Sequence, residues 1–159
     1  MNQVMTLLRQ LEAHVQEEIG AQSRVLAALE AQGEALRSHE SARIVAATAA
    51  LDSEIAAQAK RSERRVELLS ALAAVWSLPA GTLTLGSIVQ RVGDEGRRLA
   101  RQREELTATV GSVARQSRRN RLVARLHQRV TSDILQAVLV ENGSESVLAE
   151  GGALVDAEG

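Results

Sequence analysis

The 159-residue chain has no cysteine, no phenylalanine and no tyrosine, one tryptophan (Trp76) and one proline (Pro79). Each shortage excludes something. Without cysteine there are no disulfides, thiolate metal sites or thiol nucleophiles, which fits a reducing compartment. Without Phe and Tyr, a core filled with rings and a stacking platform for single-stranded nucleic acid are both ruled out. A single proline leaves almost no position where helix is forbidden. Long uncharged runs are missing too. Arg9, Glu12, Glu17, Glu18 and Arg24 interrupt the first thirty residues, so no secretion signal is expected, and no stretch nears the ~18 apolar residues of a membrane span. The chain is expected to be cytoplasmic, without membrane insertion.

What is abundant is alanine and leucine, 26 and 21 residues within an apolar content of 45%. Both are strong helix formers, and this composition with a 3.5–3.6 period reads as long helices or coiled coil. The formal net charge of -1 hides three unlike segments. Residues 1–96 carry 9 basic and 12 acidic side chains, residues 97–140 carry 10 and 3, and residues 141–159 carry none and 5.

Apolar stripes in steps of three and four place the helices. The first stripe is Leu8, Leu11, Val15, Ile19, Leu26, Leu29 and Leu36, with Gln22 and Gly33 filling its gaps, and predicts a helix over about 3–38 that Asn2 can cap. A break at Ser38–Ser41, where a hydroxyl could serve the next helix, makes two long helices antiparallel neighbours. The second stripe, Ile44, Thr48, Leu51, Ile55, Ala59, Ser62, Val66, Leu69, Leu72 and Trp76, predicts a helix over about 42–78. Glu54, Arg61, Glu63, Arg64 and Glu67 fall on its charged face, and Pro79 and Gly81 end it. Thr84 is a plausible N-cap for a short helix over about 84–95, weakened by Gly93 and Gly96. The last stripe, Leu99, Arg103, Leu106, Val110, Val113, Ser117, Asn120, Ala124, His127, Thr131, Ile134 and Val138, predicts a helix over about 97–140. Residues 141–159, with Gly143, Gly151, Gly152 and Gly159 among five acids, are expected to be a disordered tail. The expected fold is therefore all-α: an antiparallel long-helix hairpin plus a third long helix, bundled like a coiled coil.

Chemistry finds few footholds. Gly81 and Gly86 have the spacing of a phosphate loop, but no lysine follows and Ile88 stands where that motif admits no apolar residue. His14 and Glu18, four apart, could ligate a metal; a closed site needs about four ligands, and His39 and His127 supply none nearby, so a solvated helix face is expected. No nucleophile, metal cluster or cofactor site emerges, and no enzyme is expected. The strongest electrostatic feature is the basic patch Arg115, Arg118, Arg119, Arg121, Arg125 and Arg129. Phosphate neutralisation is its sharper reading, but no zinc or helix-turn-helix signature accompanies it, and a solvated or partner-facing helix is the expectation. Asn120, on the seam with Ser117 and His127 near it, reads either as a register device in a bundle or as a sign that this part of the helix is not permanently buried.

Three stretches resemble the FlgN-like flagellar export chaperones. KRSERRVELLSALA, from Lys60 to Ala73, is similar to the basic, leucine-rich end of that family's second helix. WSLPAGTLTLGSIVQRV, from Trp76 to Val92, is similar to its Pro/Gly turn and short amphipathic helix. SRRNRL, from Ser117 to Leu122, resembles its asparagine-rich step, although Ser117 stands where the family often has a first asparagine. The resemblance implies a helical body whose last helix binds the amphipathic C-terminal segment of hook-associated proteins and delivers them, monomeric, to the flagellar export apparatus. Asn120, Leu122, Val123, Leu126, Val130, Ile134, Leu135, Val138 and Leu139 are the candidate partner-binding residues, a face suited to the helix-in-groove mode. Two alternatives stay open: a homodimeric coiled-coil scaffold zipped through the third helix, and a nucleic-acid-associated protein using the arginines. Oligomeric state is open as well, since packing within the chain and between chains satisfies the same periodicity.

Overall fold

Helices account for all the regular structure among the described residues. The computed structural model describes residues 2–152, with side-chain surroundings for 3–140. Helix α1 is Asn2–Ser38, α2 Ser41–Val75, α3 Leu85–Val92, and α4 Arg97–Gly152, with a 3-10 turn at Gly93–Gly96 between the last two. Residues through Asn120 form one packed unit and those from Arg121 onward a second.

The helix ends are local chemistry. At the end of α1 His39 enters the left-handed region at φ 56 and the Glu40 amide reaches back to the Ala35 carbonyl at 3.0 Å, closing a Schellman turn. Ser77 does the same after α2, at φ 53, with Leu78 N–H donating to Ala73 O at 2.8 Å and Ser77 N–H to Ala74 O at 3.1 Å. The helix thus stops at Val75, three residues earlier than Pro79 alone suggests, because the turn needs room to close. The expected hydroxyl cap on α2 does not form: Glu40 holds the N-cap position without a side-chain bond, and Ser38 Oγ instead donates to Glu34 O and Glu40 Oε1. Thr84 is the N-cap of α3, in a reciprocal capping box with Ser87. Gly93, at φ 60 and ψ -127, ends α3 in a conformation that a β-carbon would strain.

Paired side chains show how the first unit runs. Arg65 meets Glu18 at 3.1 Å, Arg24 pairs with Glu54, and Gln32 donates to Thr48 at 3.1 Å, so α2 descends antiparallel to α1. Gln102 donates to Glu12 O at 3.1 Å and Asn120 to Leu29 O at 2.7 Å, so α4 up to Asn120 runs parallel to α1. The core gathers Leu8, Leu11, Val15 and Ile19 from α1, Leu68, Leu72 and Ala73 from α2, Leu83 from the loop that follows, Ile88 from α3 and Leu99 from α4, with Trp76 packed against it. The Arg91 guanidinium lies 5.2 Å above the Trp76 ring, a cation–π contact worth roughly 0.5–1 kcal/mol. Each fully buried leucine contributes about 1.5–3 kcal/mol, so this end of the hairpin anchors the fold.

Three expectations need correction. The inward face of α2 between its ends is Leu51, Glu54, Gln58, Arg61 and Arg65, with Arg61 buried and the others partly buried, whereas Ile55 (65%) and Val66 (58%) point to solvent. The reason is pairing: the Glu54 and Arg65 charges find opposite charges on α1, and buried Arg61 donates to Glu54 O and Gln58 Oε1 at 3.1 Å each. Second, His14 and Glu18 are not a solvated face; both are buried, 3.4 Å apart, with Arg65 closing the group. Third, on α4 Gln102 is buried while Arg103 and Val110 are exposed, because the glutamine reaches a backbone carbonyl of α1; Asn120 is buried where its stripe puts it. Helix α4 also continues to Gly152, twelve residues past the expected boundary at 140; no proline interrupts it. The remainder of the expected disordered tail, 153–159, lies outside the described residues, as does the side chain of Asn2 and its expected cap.

Candidate functional site

From Arg121 to Val140 the side chains of α4 are exposed, with only Val123 and His127 partly covered. An amphipathic helix normally turns its apolar stripe inward. Here Leu122 (69%), Leu126 (56%), Ile134 (58%) and Leu139 (68%) remain in water, together with Val130, Leu135, Val138 and Val140. Leu122, Leu126, Val130, Ile134 and Val138 recur every fourth residue, so they form one continuous ridge of the kind that seats between the ridges of another helix. Val123 lies beside this ridge, and Leu135 and Leu139 extend the apolar surface round the helix. Scattered exposed apolar residues are ordinary, whereas a contiguous run of them along one helix face is not.

Asn120 stands apart from the residues with which the sequence groups it. It is buried at 5% exposure, donates to Leu29 O at 2.7 Å and Gln32 Oε1 at 3.0 Å, and accepts from Gln116 Nε2 at 2.9 Å. It enters the seam because α1 has a glycine opposite: a β-carbon on Gly33 would stand 2.5 Å from Asn120 Oδ1. This amide therefore fixes α4 against α1, at the last residue of the first unit. The signal was in the sequence, as Gly33 sits in a gap of the first stripe, but its pairing with Asn120 was not.

All six arginines of the basic patch are exposed. Arg115 donates to Ser112 Oγ at 2.9 Å and, with Arg119, lines a shallow cavity of about 200 Å³ beside Leu26, Glu30 and Gln116. Another cavity, of about 320 Å³, is lined by His14, Glu17, Ala57, Lys60, Arg61 and Arg64, a mixed and largely cationic set. Among the described residues no group of His, Asp and Glu is placed to hold a metal ion, and no helix is long and apolar enough to cross a membrane. Shifted titrations lie elsewhere, in the hairpin. Hydrogen bonding from Arg24 holds the Glu54 carboxyl below its usual range, and hydrogen bonds from Ser38 and Arg43 do the same for Glu40. What the arrangement offers chemically is an apolar helix face with a basic border.

The chain matches the family described as FlgN protein over residues 1–148. No curated protein and no solved structure matches the chain.

Proposed function

The chain belongs to the FlgN protein family of flagellar export chaperones, and on that premise we propose that it is a cytoplasmic chaperone whose α4 face captures the amphipathic C-terminal segment of hook-associated proteins. The observation that carries this reading is the uncovered ridge Leu122, Leu126, Val130, Ile134 and Val138. A client segment that polymerises through its own apolar face would exchange that contact for this ridge and stay monomeric until it reaches the export apparatus. Leu135 and Leu139 widen the surface, and Val123 sits at its margin. Asn120 contributes from inside, by holding the base of the helix against α1.

Affinity in such a contact comes from apolar burial, at about 25 cal/mol per Å² less the cost of ordering the partner. The test is a variant with Leu126, Val130 and Ile134 replaced by serine. A hook-associated protein of the same organism should sediment as a monomeric complex with the native chain and self-associate in the presence of the variant. If the variant, still helical, protects the client as well as the native chain does, the face is not the client site. Self-association of the chaperone through the same ridge is the rival reading, and sedimentation of the chain alone as a monomer removes it.

A further inference from the structure

Each of the first three ridge residues is preceded by an arginine: Arg121 before Leu122, Arg125 before Leu126, Arg129 before Val130. Successive residues of a helix are about 100° apart and residues four apart stack in rows, so a row of guanidinium groups runs beside the apolar ridge along one edge. All three arginines are exposed. The ion pairs found among the described residues leave these three without an acidic partner. Like charges four apart work against an isolated helix, so the row costs the free chain a little, and an anionic partner would relieve it. The row ends in Asp133, which precedes Ile134. Read along the helix, the edge is positive three times and then negative.

Resting on the client-capture reading above, we propose that this edge selects the partner: an amphipathic client helix whose apolar stripe is bordered on the facing side by carboxylates. The ridge supplies affinity without direction, because leucine packing is indifferent to which way a partner helix runs. The charged edge supplies direction. Three carboxylates opposite Arg121, Arg125 and Arg129, with a cation opposite Asp133, match in one orientation and clash in the reverse. Phosphates fit the strip less well. A nucleic-acid backbone on the arginines would leave the adjacent leucine ridge wet and bring Asp133 against like charge.

The test uses the full chain and two synthetic 20-residue amphipathic peptides with the same leucine stripe, one bordered by glutamates and one by lysines. Calorimetric titration is expected to show the glutamate peptide binding on the order of tenfold tighter at low salt, from three exposed pairs, with the preference shrinking as salt rises. Arg121→Glu/Arg125→Glu/Arg129→Glu should invert the preference, and the milder Arg→Gln triple variant should erase it. Equal binding of both peptides to the native chain overturns the proposal while leaving capture by the ridge intact. So does native client-segment binding that the charge-reversed variant retains at full strength. Loss of client-segment binding on replacing Leu126, Val130 and Ile134 tests the chaperone reading separately. A duplex oligonucleotide that displaces the glutamate peptide would overturn the proposal in favour of nucleic acid. If amidating the acids at 141, 145, 150, 156 and 158 tightens both peptides alike, the chain's own tail is the occupant and the proposal falls.

Discussion

Replacing a glycine by alanine in the interior of a helix ordinarily stabilises it by about 0.5–1 kcal/mol, because alanine has less conformational freedom to lose. At Gly33 the sign should reverse. Its missing β-carbon makes room for the Asn120 amide: a β-carbon there would stand 2.5 Å from Asn120 Oδ1 and 2.9 Å from Gln116 Nε2. To admit alanine the amide must withdraw, breaking its donation to Leu29 O and Gln32 Oε1 in a buried setting. Two such bonds are worth about 1 kcal/mol each, and a stranded buried amide costs about 1–3 kcal/mol. Against the propensity gain, Gly33→Ala should destabilise by about 1–2 kcal/mol, lowering Tm by roughly 3–6 °C for a domain of this size. Gly20, on the same helix, would meet only Arg24 Nη1 at 3.6 Å, so Gly20→Ala should stabilise. Thermal and urea unfolding followed by circular dichroism on both variants, and on Gly33→Ala in an Asn120→Ala background, separates the contributions. In that background the alanine should become stabilising again. A Gly33→Ala variant as stable as Gly20→Ala would refute the packing of Asn120 against α1.

Three further outcomes are expected. Ser77 occupies a left-handed position, at φ 53, and Ser77→Gly should raise stability by about 0.5–1 kcal/mol in urea unfolding. The serine substitutions at Leu126, Val130 and Ile134 should each cost no more than about 0.5 kcal/mol, whereas Leu72→Ala, at a fully buried position, should cost about 2–5 kcal/mol. Stability should fall on acidification. Glu54 and Glu40 have pKa values held below the ordinary 4.5, so the unfolded chain binds their protons first, and the stabilisation present above that value is lost as pH drops through and below it. Glu54→Gln should flatten that acid limb in a pH series of melting temperatures.

Periodicity carried the reading of the fold a long way. Leu8, Leu11, Val15 and Ile19 on α1, Leu72 on α2 and Leu99 on α4 are buried where the stripes put them, and the Thr84 cap follows from local chemistry. What periodicity missed is the middle of α2. It chose Ile55 and Val66 because they are apolar, whereas the helix turns Glu54, Arg61 and Arg65 inward. The partners of Glu54 and Arg65 on α1 are 30 and 47 residues away in the chain, and a pattern read one helix at a time does not register them. The burial of His14 and Glu18 escaped for the same reason. The candidate face on α4 was legible as an amphipathic stripe, and the arginines as a patch. That Asn120 belongs to the body rather than the face follows from its bonds to Leu29 and Gln32, some ninety residues away in the chain.

Whether the exposed ridge of α4 is a client site is read out by titrating the chain calorimetrically with C-terminal segments of the same organism's hook-associated proteins. One-to-one binding is expected, micromolar or tighter, with the negative heat-capacity change of apolar burial, and no heat from scrambled peptides of the same composition. An intact, helical chain that binds none of the segments, or binds scrambled and native segments alike, would contradict it.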